Sequence, residues 1–194
     1  MEEEKSEKEK MIAGKPFKAF DLELYKERAA ARVMVEDFNR LRSANSPERK
    51  ALIIKLFGKT SKNFLIESPF TCDYGYQISI GKNFYANTNL TILDAAPVKI
   101  GNNVLIGPNV GIYTVNHPIH FKDRNLQLEI AKPIEIGNNV WIGGHIVINS
   151  GVTIGDNSII GSGSVVTKSI PSNVVAAGNP CKVIRKITEE DRLV

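Results

Sequence analysis

Three histidines are the side chains best suited to proton transfer at neutral pH, because an unperturbed imidazole titrates close to that pH. His117 precedes Pro118 in a stretch that lacks the regular apolar spacing of its flanks. A histidine outside a core can act as a general base and take the proton of a hydroxyl group. We predict that His120 is a loop-surface residue and that His145 faces outward from a regular element.

The two cysteines, Cys72 and Cys181, are the candidates for covalent catalysis by a thiol. A covalent route needs an activated nucleophile, and neither cysteine has a histidine near it in the sequence. They form no CxxC pair of the kind that binds metals, and two cysteines are too few for a disulfide framework. We therefore predict chemistry without a covalent enzyme intermediate, in a reduced cytoplasmic setting.

Length and composition indicate one substantial globular domain. The 194 residues are 42% hydrophobic and 24% charged, and a formal net charge of +4 is too mild to indicate nucleic-acid binding. No apolar run approaches membrane-spanning length, and the opening MEEEKSEKEK is acidic where a signal peptide would be basic. We expect a cytoplasmic protein that binds neither nucleic acid nor a membrane.

A six-residue repeat indicates the elements that must position these side chains. Two residues before each of the last five repeat positions stands a second apolar or small residue, and tight-turn residues follow. Residues two apart in a strand share a face, so each hexad predicts a short strand with two inward side chains. Hexapeptide periodicity is typical of a parallel β-helix. The repeat positions are Ile136, Ile142, Ile148, Ile154, Ile160 and Val166.

Two nearly identical segments extend this pattern towards the N-terminus. They are IGNNVLIGPNVGI at 100–112 and IGNNVWIGGHIVI at 136–148, which start 36 residues apart. With three hexads per coil they are two coils apart, whereas they are one coil apart if about 18 intervening residues leave as a loop. In both cases the segments share a face, and Trp141 is predicted to lie above Leu105 on the outside.

The hexads divide the chain into three parts. Residues 1–62 are predicted to form a helical cap, 63–170 the β-helix, and 171–194 a basic tail that runs back along an edge of the coils. A cap is expected because a terminal repeat otherwise exposes its core. Residues 113–133 interrupt the hexads with two prolines and two of the three histidines. Such an excursion from a regular solenoid is usually functional.

Three helices are predicted within the cap. Residues 1–14 favour a short helix, and 21–39 favour a longer one. The third begins after Ser46 as N-cap and ends at Gly58. The predicted apolar face of the long helix is Leu22, Tyr25, Ala29, Val33 and Phe38, and that of the third helix is Leu52, Ile53, Leu56 and Phe57.

The whole chain resembles the hexapeptide-repeat acyltransferases, and among them the maltose and galactoside O-acetyltransferases. Two segments, EKEKMIAG and CDYGY, are markers of the maltose-type branch, whereas the C-terminal segments are widespread in the superfamily. The segments that carry the resemblance are EKEKMIAG, CDYGY, NFYAN, the NHPIH loop, IGNNVWIGG, GVTIGDNSIIGSGSVVTK and VVAAGNPCKVIRK.

The resemblance implies a mainly β protein, a left-handed parallel β-helix that forms a homotrimer with active sites between neighbouring subunits. It also implies direct transfer of an acetyl group from acetyl-CoA to a sugar hydroxyl, without a metal. His117 matches the catalytic base of the family, and Asn87 matches the residue that stabilises the transition state. An αL turn residue is the alternative for Asn87. The backbone N–H of Gly144 is the other expected donor to the oxyanion.

The same resemblance assigns residues to acetyl-CoA. Some would line the pantetheine arm, and Trp141 among them could equally serve a subunit interface. Others would meet the adenosine, the pyrophosphate and the 3′-phosphate. The assigned residues are Trp141, Gly144 and Ser162 for the arm, and Thr167, Lys168, Lys182 and Arg185 for the phosphate end.

For the acceptor, the resemblance points to carboxylates, which are strong acceptors for sugar hydroxyls. Asp21, Asp73 and Asp94 match acceptor-binding positions, and Glu129 is a candidate for orienting the catalytic histidine. The galactoside branch has a second carboxylate after Asp94, where this chain has Ala95. That difference favours maltose or glucose, while a galactoside or a xenobiotic hydroxyl is the alternative acceptor.

Two other classes of protein stay open at this point. A β-helical metalloenzyme of the carbonic anhydrase type needs three histidines, but its order is one distant histidine followed by a close pair. Here the close pair comes first, at 117 and 120, and the distant histidine is at 145. A non-catalytic solenoid scaffold would bind no acetyl-CoA, and it leaves the excursion unexplained.

Overall fold

The computed structural model describes residues 5–43 and 46–194, so residues 1–4 of the first predicted helix lie outside the described residues. The helices are α1 (Glu7–Ile12), α2 (Leu22–Arg40), α3 (Pro47–Leu56) and α4 (Phe121–Asn125), with a 3₁₀ turn at Glu189–Asp191. The strands are β1 (Phe17–Lys18), β2 (Phe64–Ile66), β3 (Phe70–Cys72), β4 (Ile78–Ile80), β5 (Phe84–Ala86), β6 (Leu90–Leu93), β7 (Val98–Ile100), β8 (Leu105–Ile106), β9 (Gly111–Tyr113), β10 (Val115–Asn116), β11 (Leu128–Ala131), β12 (Ile134–Ile136), β13 (Trp141–Ile142), β14 (Val147–Ile148), β15 (Thr153–Ile154), β16 (Ile159–Ile160), β17 (Val165–Val166), β18 (Val174–Ala177) and β19 (Lys182–Lys186).

Three parallel sheets form the sides of a coil, as the hexads predict. Face 1 contains β4, β7, β12 and β15, face 2 contains β2, β5, β8, β13, β16 and β18, and face 3 contains β3, β6, β9, β14 and β17. The chain visits the faces in turn, so β4, β5 and β6 make one full coil. We name the turns by the faces they join: corner 1/2, corner 2/3 and corner 3/1.

The register between coils resolves the spacing of the two near-identical segments. Ile100 of β7 pairs with Ile136 of β12, so the segments lie one coil apart and the intervening excursion leaves from corner 3/1. Trp141 pairs with Leu105 on the outside of face 2, as predicted, and their side chains are 53% and 50% exposed. The excursion therefore projects from a continuous stack of coils.

The core lies inside the coils and consists of the inward hexad residues. Val140 and Ile142, two positions apart, are both buried, whereas Trp141 between them is exposed. Each short strand therefore contributes two inward side chains to one apolar interior, because alternate strand residues point to opposite faces. The same pattern recurs along the stack, from Phe64 and Ile66 to Val174 and Ala176.

Asparagines line the corners. At corner 1/2, five asparagines adopt the left-handed conformation, which asparagine tolerates better than most residues. The first four donate from Nδ2 to Oδ1 of the asparagine in the next coil, at 2.8–3.0 Å, so the corner is a continuous hydrogen-bonded ladder. At corner 2/3, His145 (φ 57°) takes an asparagine's place and lies 3.3 Å from Asn109 Nδ2. The ladder residues at corner 1/2 are Asn83, Asn103, Asn139, Asn157 and Asn173.

Helices α2 and α3 begin close to the predicted positions, whereas α1 begins only at Glu7, and the predicted apolar face of α2 is wrong except for Phe38. Leu22, Tyr25 and Val33 are 64%, 60% and 58% exposed. The buried side chains of α2 are Leu24, Ala31, Val35 and Phe38, and only Phe38 belongs to the predicted face. The helix carries two apolar stripes, and docking against the first coil selects one of them, with Phe38 edge-on to Phe70 at 6.2 Å. For α3 the prediction is confirmed, since Ser46 caps it and Ile53, Leu56 and Phe57 are buried.

The cap and the excursion share a small sheet. β11 of the excursion pairs antiparallel with β10 on one side and with β1 of the cap on the other. A second apolar cluster lies beneath this sheet and joins the cap, two coils and β11 through Met11, Phe17, Ala19, Leu24, Tyr74, Ala95, Ala96 and Ala131. The cap therefore braces the excursion as well as covering the end of the core.

The C-terminal tail turns back as predicted. β19 pairs antiparallel with β18 and becomes the edge strand of face 2, with all five of its residues exposed.

Candidate active site

A cavity of about 260 Å³ lies where the cap, the first two coils and the excursion meet. It contains three of the predicted site residues, His117, Asp73 and Glu129. A larger groove of about 690 Å³ between α3 and the first coil contains none of them. The cavity is lined by Ala19, Phe20 and Arg28 of the cap, by Asp73, Tyr74, Leu93 and Ala95 of the coils, and by Val115, His117 and Glu129 of the excursion.

Antiparallel pairing within the excursion brings His117 and Glu129 together. His117 follows β10 directly, and Glu129 lies on the paired strand β11. Glu129 Oε1 is 4.0 Å from His117 Nε2, and the imidazole is 59% exposed while the carboxylate is 20% exposed. Burial raises the pKa of Glu129, whereas the charges of His117 and Arg28 lower it. When His117 gains a proton, the carboxylate of Glu129 is its anionic neighbour. The exposed part of the imidazole is open to a ligand.

Asp73 lines the cavity, and Asp94 lies behind it. Asp94 is fully buried and its Oδ1 accepts from the backbone N–H groups of Asp73 (3.1 Å) and Tyr74 (2.9 Å). Burial raises the pKa of Asp94 to about 7, and its Oδ2 has no hydrogen-bond partner among the described residues. The structure thus gives Asp94 a contact to the turn that presents Asp73. A direct contact between Asp94 and an acceptor stays a prediction.

Arg28 is a cavity residue that the sequence did not single out. Its guanidinium donates to Tyr74 Oη at 2.6 Å and to the carbonyl oxygen of Ala19 at 2.5 Å. It also lies 5.6 Å from the centroid of the Tyr74 ring. The only available signal was an arginine within a helix that has many charges, and such residues are usually solvated.

Asp21 and Asn87 do not line the cavity. The Asp21 carboxylate caps α2 and accepts from the N–H groups of Glu23 and Leu24. Asn87 stands at corner 2/3, where its Oδ1 accepts from Thr88 N–H at 2.7 Å. Asn87 is not one of the residues with positive φ, so the alternative of an αL turn residue is wrong, and Asn89 (φ 61°) has that conformation instead.

The residues assigned to the acetyl-CoA arm also gather at corner 2/3 or beside it. Trp141 is exposed on face 2, and Gly144 lies at the corner that follows it in the same coil. Ser162 lies at the same corner of the next coil. The backbone N–H of Gly144 donates to Ser162 Oγ at 3.1 Å, so the expected oxyanion donor already has a partner within the chain. A ligand oxygen that binds this N–H must share it with Ser162 or replace it.

The residues assigned to the phosphate end are exposed, and one of them is paired. Thr167 and Lys168 follow β17 at corner 3/1, and Lys182 begins β19. Arg185 forms two hydrogen bonds to Asp191, at 2.7 and 2.8 Å, which hold the pKa of Asp191 down to about 2. A phosphate that binds Arg185 therefore competes with a carboxylate of the tail.

The two groups of predicted residues lie at different corners. Asn87 and Gly144 are at corner 2/3, whereas His117 projects from corner 3/1, and the strands of face 3 separate them. Within one chain the structure brings His117 together with Asp73 and Glu129, but not with the candidate oxyanion donors.

Metal and thiol chemistry find no support in the described residues. Ranges 5–43 and 46–194 contain no group of three His, Cys, Asp or Glu side chains that could hold a metal ion. His120 caps α4 and His145 belongs to the ladder of corner 2/3, as expected of surface residues. Burial raises the pKa of both Cys72 and Cys181, so neither thiol is an activated nucleophile. In the same ranges, every helix is too short or too polar to cross a bilayer.

Three family models match separate parts of the chain. The maltose acetyltransferase hexapeptide capping motif matches residues 10–61, the hexapeptide repeat of succinyl-transferase matches 97–119, and the bacterial transferase hexapeptide of six repeats matches 133–168. The first covers α2 and α3, and the other two cover coils on both sides of the excursion.

Relatives match over nearly the full length. The galactoside O-acetyltransferase of Escherichia coli K12 is 48% identical over 95% of this chain and 91% of its own. The crystal structure of a maltose O-acetyltransferase from Clostridium difficile 630 superposes with a TM-score of 0.92 and 47% identity, over 95% of this chain and 99% of that one. A galactoside acetyltransferase in complex with coenzyme A gives 0.93 and 47%, over 97% and 94%.

These matches confirm the predicted fold class and the predicted enzyme class. Identity near one half over both whole chains, including the cap, the coils and the excursion, leaves no large element unmatched. The chain belongs to the maltose and galactoside O-acetyltransferase family of hexapeptide-repeat acetyltransferases.

Proposed function

We propose that this protein transfers an acetyl group from acetyl-CoA directly to a hydroxyl of a glucose-type sugar such as maltose, at the primary 6-hydroxyl. The observation that supports this is the cavity in which the carboxylates of Asp73 and Glu129 lie beside the accessible imidazole of His117. Carboxylates accept hydrogen bonds from sugar hydroxyls, and the imidazole accepts the proton of the hydroxyl that reacts. A relative of this fold binds coenzyme A.

In the proposed reaction, His117 takes the hydroxyl proton while the hydroxyl oxygen attacks the thioester carbonyl carbon. The charge that develops on the carbonyl oxygen is stabilised by the Asn87 side chain and by Gly144 N–H, which exchanges its bond to Ser162 for the oxyanion. When the carbon–sulfur bond breaks, His117 returns the proton to the leaving thiolate. Glu129, 4.0 Å from Nε2, stabilises the imidazolium between these steps.

Acetyl-CoA would contact corner 2/3, the residues that follow β17 and the basic tail. Trp141 and Ser162 would contact the pantetheine arm, since Trp141 offers an exposed aromatic surface beside that corner. Thr167, Lys168, Lys182 and Arg185 would bind the phosphate end. The scheme needs no metal, because the imidazole supplies the base and the backbone and amide donors stabilise the oxyanion. The two cysteines are free and buried, and we propose the reducing cytoplasm as the location.

A homotrimer would complete the site. Face 2 carries an outward apolar stripe, whose Leu105 and Trp141 are half exposed, and such a stripe is typical of a subunit interface. Cyclic assembly can place corner 2/3 of one subunit against corner 3/1 of its neighbour, which would join Asn87 and Gly144 to His117. The stripe consists of Leu65, Tyr85, Leu105, Trp141, Ile159 and Val175.

An acceptor panel tests the proposal. With acetyl-CoA held constant, we expect maltose and glucose to release free thiol faster than a thiogalactoside, chloramphenicol or serine. A site built to bond hydroxyls rejects ligands that leave its buried polar groups unpaired, and Ala95 offers no carboxylate to a galactoside. A thiogalactoside as the best acceptor would support the galactoside alternative. Chloramphenicol or serine as the best acceptor would make the sugar assignment wrong.

The phosphate assignment predicts a selective effect of Arg185→Ala. We expect the KM for acetyl-CoA to rise about tenfold, since charge-assisted hydrogen bonds to phosphate are lost, with little change in the KM for the sugar. In the parent, the KM for acetyl-CoA should rise with salt through screening, and the variant should respond less. Arg192→Ala is the matched control, because Arg192 is an exposed arginine of the same tail that pairs with Glu189. Equal KM values and salt responses in Arg185→Ala and parent would show that Arg185 only binds Asp191.

A further inference from the structure

We propose that Arg28 is a positioning residue of the acceptor site: anchored on Tyr74 and the Ala19 carbonyl, it holds Asp73 and Glu129 in the anionic form that accepts hydrogen bonds from the acceptor's hydroxyls. The proposal rests on the proposed function and adds to it the residue that sets how the acceptor site responds to pH. Its basis is that Arg28 lines the cavity together with the carboxylates of Asp73 and Glu129.

Arg28 is anchored at two points. Its two terminal nitrogens donate to Tyr74 Oη and to the Ala19 carbonyl, and Arg28 as a residue is partly buried. Tyr74 itself is 4% exposed, and burial raises its pKa to about 12, so its hydroxyl stays neutral and keeps accepting this bond. An arginine held at two points on different elements has a fixed charge position, unlike a solvated surface arginine.

The charge of Arg28 acts on both carboxylates of the cavity. Burial raises the pKa of Asp73 and of Glu129, which disfavours the anion that a sugar hydroxyl needs as its acceptor. The charge of Arg28 lowers the pKa of both groups. The charged or titratable groups that face them are Arg28 and Arg32 on α2, Tyr74 and Asp94 on the coils, and His117 on the excursion.

Loss of Arg28 should weaken acceptor binding most at low pH. Without Arg28, Asp73 and Glu129 would protonate at higher pH than in the parent, and a protonated carboxyl is a weaker acceptor. Protonation of His117 impairs catalysis in the parent as well, so the pH dependence of the parent must be divided out. The ratio of the acceptor KM in a variant to that in the parent therefore isolates the contribution of Arg28, and it should rise as the pH falls.

The experiment compares Arg28→Met, Arg28→Lys and the parent with maltose as acceptor. For Arg28→Met we expect the KM ratio to reach about tenfold or more at acidic pH, as for loss of a charged hydrogen bond, with the KM for acetyl-CoA unchanged. Arg28→Lys keeps the charge and should show a ratio that varies little with pH. The matched control is Lys26→Met, which removes an exposed cation of the same helix outside the cavity. If Arg28→Met does not fold, Arg28→Gln, which retains amide donors, replaces it.

Two results would overturn the proposal. One is an Arg28→Met ratio that is independent of pH, which would mean that Arg28 only ties α2 to Tyr74. The other is an Arg28→Lys ratio that rises as steeply as that of Arg28→Met, because the charge would then be irrelevant. If the parent acetylates no sugar, the proposed function fails, and carboxyl ¹³C NMR titration replaces the kinetics. Asp73 and Glu129, assigned with Asp73→Asn and Glu129→Gln, must then titrate at higher pH in Arg28→Met than in the parent.

Discussion

His117→Ala is expected to lower kcat by about 10²–10⁴-fold, which is the usual effect of removing a general base. The imidazole is the exposed histidine base in the cavity, and the alanine side chain cannot take the hydroxyl proton. The KM for acetyl-CoA should stay nearly unchanged, because none of the residues assigned to its binding lines the cavity that contains His117. Steady-state kinetics with maltose, followed by thiol release, measure both constants.

The matched control is His120→Ala. His120 is an exposed histidine of the same excursion, it caps α4, and it does not line the cavity. It should retain parental kcat, which separates loss of a base from general disturbance of the excursion. Near-parental turnover in folded His117→Ala would remove His117 from the mechanism, whatever the behaviour of the control.

Mixing two inactive variants is expected to restore activity. His117→Ala and Asn87→Ala each remove one component of the proposed site, and the two residues lie on opposite sides of face 3. If each site takes His117 from one subunit and Asn87 from its neighbour, random trimers from an equal mixture regain about one quarter of parental activity. The measurement is thiol release after the two variants are unfolded together and refolded.

Two controls use the same substitutions. The same variants refolded separately and then combined without exchange should stay inactive, as should the double variant in one chain. A co-refolded mixture as inactive as its components would show that one chain supplies both residues. In that case the proposed position of the site between subunits is wrong, even if the protein is a trimer.

The coil itself could be predicted from the sequence, because its causes are local. Alternation within each hexad decides which residues are inward, and Val140, Trp141 and Ile142 have the burial that their spacing predicts. Turn preferences are also local, and Asn139 and Asn157 adopt the positive φ expected of such turn residues. The resemblance in short segments then led to His117, Asp73 and Glu129, which the fold brings into one cavity.

Where the sequence pattern allowed two structural arrangements, only the tertiary structure distinguished between them. The repeat spacing allowed segments 100–112 and 136–148 to lie one or two coils apart, and the pairing of Ile100 with Ile136 decides for one. In α2 two apolar stripes have similar periodicity, so the helix pattern alone selected Leu22 and Tyr25 where docking buries Leu24 and Val35. Helix periodicity reports which residues share a face, but not which face meets the core.

Contacts between residues distant in sequence were likewise decided only by folding. Arg28 reaches Tyr74 across 46 positions, and Asp94 binds the turn that presents Asp73. Arg185 meets Asp191 because the tail turns after β19, although the sequence marks both only as charges in a polar segment. The sequence by itself determined the coil, its corners and the identity of the reactive side chains, since those depend on neighbours a few residues away. The fold decided which charges face one another, since that depends on how the cap and the excursion dock on the coils.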